Sequence, residues 1–216
     1  MDSNIFEVAT LTIAWLLGLL APTIIRRIER KYQASDVGAG IIAEAGHLRY
    51  TLALVAFRLR SRLKTFDQPF ITWITGVMDS ESGEEEDGPT WREAAKKLLA
   101  LPVAQLNSAA AAQLVPGQVT RPIPYSLPYL ESQLGQLHLF PPDLQRRLMS
   151  IRYYLTLFNS DVDFARQMFD LTFDPAVMAV NQLVIDKNIE SSYKKLAGRA
   201  ERLAKEIGEL IELGVS

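Results

Sequence analysis

Apolar residues recur at helical spacing along most of this chain, and the longest apolar stretch comes first. Residues 8–25 read VATLTIAWLLGLLAPTII, eighteen positions without a charge. Coiled as a helix they extend about 27 Å, close to the roughly 30 Å hydrocarbon core of a bilayer. Pro22 falls near the far end, where a missing backbone hydrogen bond is most easily tolerated. A cleaved signal peptide opens with positive charge, whereas Asp2 and Glu7 precede this stretch and four basic residues follow it. A buried core helix rarely runs so long without a polar anchor, and a re-entrant segment is shorter. The stretch is read as a single transmembrane helix.

The pattern then becomes amphipathic. Ile41, Ala45, Leu48, Leu52, Val55 and Leu59 follow a 4, 3, 4, 3, 4 spacing, the seam by which one helix packs lengthwise on another, with Asp36 as its expected cap. Asp67, Gln68 and Pro69 start another helix, and the apolar residues 69–78 either complete a core or dip into a membrane interface. Residues 79–88, DSESGEEEDG, read as an acidic linker. A helical segment follows from Trp91, interrupted at Pro102 and continued by an Ala-rich piece to Val115. Prolines 116, 122, 124 and 128 make an extended connection, and a short helix is predicted over 129–137.

The last two segments carry the longest seams. Leu144, Leu148, Ile151, Leu155, Phe158, Val162, Ala165 and Phe169 alternate by four and three, as do Ile189, Tyr193, Leu196, Ala200, Leu203, Ile207 and Leu210. Asp174 and Pro175 form the cap between them, and so short a connection makes the two helices antiparallel neighbours. Glu190 with Lys194 and Glu201 with Lys205 are oriented as surface ion pairs. No segment alternates with period two between hairpin turns. The predicted fold is all-α: one N-terminal transmembrane helix followed by a cytosolic antiparallel helical bundle. Its parts are an anchor with a basic collar over 1–32, juxtamembrane helices over 33–78, the linker 79–88, and a bundle over 89–216 that packs with 36–66.

Charge adds an orientation. Arg26, Arg27, Arg30 and Lys31 flank the span on its C-terminal side, and no Lys or Arg precedes it. The positive-inside rule places the N-terminus outside and the remainder in the cytosol, at the plasma or inner membrane, with the basic collar drawn to anionic headgroups. The net charge of −2 gives no reason to expect nucleic acid. The absence of cysteine excludes disulfides, thiolate metal sites and cysteine nucleophiles. Arg49, Arg58, Arg60, Arg62 and Lys64 decorate the first seam. A solvated face accounts for them, since the seam already explains why that helix is amphipathic; a cationic helix near the inner leaflet is the other reading.

The search for chemistry is short. Residues 38–43, GAGIIA, match a dinucleotide fingerprint in letters alone, because a charged helix and no strand precedes them; their glycines fit a flexible hinge or a close helix contact instead. Glu44 and His47 form one Glu-x-x-His, but a di-iron bundle needs two, and the other histidine, His138, has Gly135 three residues before it. Asn159 in the apolar seam region reads as a register-setting polar residue, and Tyr153 and Tyr154 as packing residues at the seam edge. No catalytic residue, cofactor, metal ligand or small-molecule substrate is indicated. The expected function is that of a membrane-tethered helical interaction or scaffolding protein, with the bilayer and a protein partner or second copy as its contacts. Two alternatives remain: an effector that oligomerises to perturb the membrane through 8–25 and 69–78, and an enzyme built on carboxylates without a motif.

Overall fold

A computed structural model describes residues 2–80, 91–113, 122–174 and 179–214, with the side chains of the first helix described at Trp15 and from Gly18 onward. It is all-helical, and no strand occurs among the described residues. Helix α1 spans Asp2–Leu63, α2 Gln68–Ser80, α3 Trp91–Leu99, α4 Val103–Gln113 and α5 Pro128–Ser132, followed by a 3-10 helix Leu134–Leu139. Two long helices complete the chain, α6 Pro142–Leu171 and α7 Ala179–Gly214.

The first difference from expectation is that α1 does not break. The anchor and the first seam belong to one helix, and Asp36 lies inside it rather than capping a new one. Residues 26–37 contain no proline or glycine, so nothing stops the helix. Gly38 and Gly40, which suggested a hinge or a close contact, serve as the contact. A methyl group on Gly40 would overlap the Tyr129 ring, and one on Gly38 would come within 3.3 Å of Phe140. The missing side chains thus let α5 and the 3-10 helix lie against α1. The helix ends at Lys64, whose φ of 55° is left-handed, with the Thr65 N–H donating to the Arg60 carbonyl at 3.0 Å.

Helix α7 is central. Its seam residues Leu196, Ala200, Leu203, Ile207 and Leu210 are buried between the seams of α1 and α6. Arg147 of α6 meets Glu209 at 3.0 Å, and Asp161 meets Lys195 at 2.8 Å, so α6 and α7 run antiparallel as predicted. Arg60 of α1 meets Glu201, and Gly46 faces Ile211, so α1 is antiparallel to α7 as well. Leu148, Ile151, Leu155, Phe158, Val162 and Ala165 fill the α6 side of the core. Each of the Val, Leu, Ile and Phe side chains contributes about 1.5–3 kcal/mol when buried.

Helix α2 completes the core instead of reaching a membrane interface. Phe70, Ile71, Ile74, Val77 and Met78 are buried. Asp67 caps the helix, accepting the Phe70 N–H at 2.8 Å. Phe57 packs edge-on to Trp91 at 5.8 Å and tilted on Phe66 at 5.1 Å, and Phe66 stacks on Phe70 at 5.6 Å. These rings tie α1, α2 and α3 together. Pro102 separates α3 from α4 as expected. Of the predicted linker, residues 81–88 lie outside the described residues, as do 114–121 and the 175–178 part of the connection between α6 and α7.

Among the described residues no helix is long and apolar enough to cross a membrane. Residues 8–14, 16 and 17 of the expected span fall outside the described side chains, so that expectation stands on the sequence.

Candidate functional surface

The predicted membrane-flanking residues Arg26, Arg27, Arg30 and Lys31 are all exposed on α1. At about 100° per residue they fall within an arc of about 140°. Ile24, Ile25, Ile28 and Tyr32 occupy the opposite side and are at least half exposed. The collar is therefore two-faced: basic on one side and apolar on the other, with the apolar side running two turns past Ile25. Every described residue from Gly18 to Gln33 is exposed, and the first buried side chain of α1 is Val37.

The Glu-x-x-His pair has a structural explanation. The Glu44 carboxylate accepts the Tyr129 N–H at 2.8 Å and the Leu130 N–H at 2.9 Å, capping α5 across 85 residues of sequence. His47 is exposed beside it, and its carbonyl accepts the Thr51 hydroxyl at 2.9 Å. The two line an open cleft of about 430 Å³ with Thr51, Pro124, Tyr125 and Ser126. His138 is on the 3-10 helix that follows α5, with Nδ1 2.9 Å from the Gly135 carbonyl. No group of three potential metal ligands occurs among the described residues.

Sequence reasoning singled out Asn159 without finding its partner. Its carbonyl accepts the Tyr125 N–H at 3.0 Å, and its amide donates to the Tyr125 carbonyl at 2.7 Å. The side chain thus satisfies both backbone groups of one residue in the extended connection and pins it to α6. Asn107 does the same for Phe66, accepting its N–H at 2.7 Å. Tyr154 packs at the seam edge as expected, with the Arg202 guanidinium 4.8 Å from its ring centre. Tyr153 does not: it is 60% exposed.

Charge inside the bundle is organised around α7. Glu201 accepts from Arg60 and Lys205, and the Lys205 ammonium lies 5.2 Å from the centre of the Trp73 ring. Burial alone would raise the Asp67 carboxyl; the Phe70 N–H and the Arg60 guanidinium outweigh it and hold the group below its ordinary value. Burial raises the Tyr193 hydroxyl, against the opposing pull of Arg62.

Comparison with protein families, curated proteins and solved structures gives no match to this chain.

Proposed function

We propose that this chain is a membrane-tethered helical interaction protein. Its N-terminus lies outside the plasma or inner membrane and its bundle on the cytosolic side, and its contacts are the lipid bilayer and a protein partner or second copy. One observation carries the reading: the uncharged stretch 8–25 belongs to the same helix that supplies the bundle core from Val37, and every described residue from Gly18 to Gln33 is exposed. A helix with large apolar residues around its circumference is stable only in apolar surroundings. A bilayer fits its length, and the collar supplies the basic exit. From Ile25 to Val37 is about 18 Å of unbroken helix, so the bundle stands just beyond the headgroups. Holding a rigid surface at fixed height raises its effective concentration for a membrane partner. The membrane-perturbing alternative loses its second apolar segment, because 69–78 is core.

Fractionation tests the proposal. The full chain should remain with membranes through carbonate and be released by detergent, and residues 33–216 alone should be soluble. Extraction of the full chain by carbonate, or retention of 33–216 in the bilayer, would contradict it.

A further inference from the structure

The two faces of the collar are in register with the bundle below it. At about 100° per residue, Ile24, Ile25, Ile28 and Tyr32 fall within an arc of about 100°. Glu29, the acid of the collar, lies in the gap between that arc and the basic one. The first seam residues of α1, Val37, Ile41, Ala45 and Leu48, are buried. They fall in the same sector of the helix as Arg26, Arg27, Arg30 and Lys31. The bundle therefore hangs on the basic side of α1. Across from it, Ser35, Ala39 and Ala43 continue the uncharged side and are exposed. If Ile25 marks the edge of the hydrocarbon, an upright helix lifts Tyr32 about 10 Å above it, beyond a headgroup layer of about 5–8 Å. Ile28 at 50% exposure and Tyr32 at 69% would then rise out of the lipid.

We propose that α1 leaves the bilayer leaning onto its apolar side, with Ile28 and Tyr32 laid into the headgroup layer. The inference rests on the tether proposed above and adds the direction in which the helix tilts. Lipid is the occupant because the apolar arc is continuous, on one unbroken helix, with the uncharged stretch 8–25. Transmembrane helices tilt by roughly 0–40°, a range that lowers the Tyr32 ring to the level where amphipathic rings are at home. The bundle permits only this direction. Leaning onto the basic side would drive the bundle into the membrane, whereas leaning onto the apolar side keeps it in water. The four cations then face water, and their long stems reach back to lipid phosphates.

The chain has no cysteine, so a single introduced cysteine carries a nitroxide label without background. The test uses the full chain in discs of phosphatidylcholine and phosphatidylglycerol bilayer, open to water on both faces. Labels replace Arg27, Ile28, Lys31 or Tyr32 in turn, and Leu19 as the reference for the tether. Oxygen gathers in lipid, a nickel chelate stays in water, and a protein contact excludes both. Ile28→Cys and Tyr32→Cys should be relaxed by oxygen and lose relaxation by the chelate, while Arg27→Cys and Lys31→Cys respond to the chelate. The order cannot come from depth along an upright helix, because Tyr32 lies beyond Lys31. Equal responses at all four positions would overturn the lean. Exclusion of both agents from Ile28→Cys and Tyr32→Cys would put protein in place of lipid on that face and overturn it as well. Leu19→Cys should respond to oxygen alone. If it does while Ile28→Cys and Tyr32→Cys respond to the chelate, the tether stands and the lean fails; a chelate response at Leu19→Cys overturns the tether itself.

Discussion

The Arg60 guanidinium of α1 and the Glu201 carboxylate of α7 meet at 2.8 Å, with side chains only 20% and 13% exposed. The contact joins the C-terminal end of α1 to the middle of the central helix. Arg60 also reaches Asp67 at 3.1 Å and lies 4.4 Å from the centre of the Phe70 ring, so the same side chain seats α2. Removing one partner leaves the other's charge with one counter-ion fewer in a partly dry site. Glu201→Leu should destabilise the bundle by about 2 kcal/mol, and Arg60→Met with Glu201→Leu by less than the sum of the single changes. Urea unfolding of 33–216 measures the cycle; additive losses would show that the pair is not coupled.

Glu44 acts as a cap rather than a ligand. Glu44→Ala should cost about 1–2 kcal/mol and speed proteolysis near α5, while His47→Ala should change neither. A stability gain from added zinc or iron in the parent chain that both substitutions remove would restore the metal reading.

Tyr193 titrates upward in the folded state. A raised folded value means that its contribution is fully present below the ordinary value of 10.0 and is lost as pH rises through the folded value. The melting temperature of 33–216 should therefore fall above pH 10, and Tyr193→Phe should flatten that fall. An unchanged alkaline limb in the variant would assign it to other groups.

The seams were legible because periodicity is a local signal. Leu148 to Ala165 and Leu196 to Leu210 are buried at the positions that spacing alone selects. What was not legible depended on distant partners. Glu44 finds the α5 amides 85 residues away, and Asn159 finds Tyr125 at a separation of 34. Such polar pairs leave no periodic trace. Asp36 read as a cap and Gly38 and Gly40 as a possible hinge, but the Tyr129 and Phe140 rings seat on those glycines and α1 runs on. The apolar run 69–78 suited lipid and core equally by composition; the ring contacts of Phe66 and Phe70 decide for the core.

The proposed orientation rests on the collar. A glutamate-specific protease added outside intact cells or spheroplasts should leave the region after Ile25 uncut, although residues 79–88 hold six acids. Cleavage there before lysis would reverse the topology.

The central claim is that one helix runs from the bilayer into the bundle, and labelling of a single cysteine at Leu19 tests it most directly. Leu19 is 56% exposed in the isolated chain, so its protection in membranes comes from outside the chain. In membranes, Leu19→Cys should resist a water-soluble maleimide that labels Lys97→Cys readily after the vesicles are opened, and detergent denaturation should expose both. Labelling of Leu19→Cys at the rate of Lys97→Cys in opened, undissolved membranes would contradict the tether.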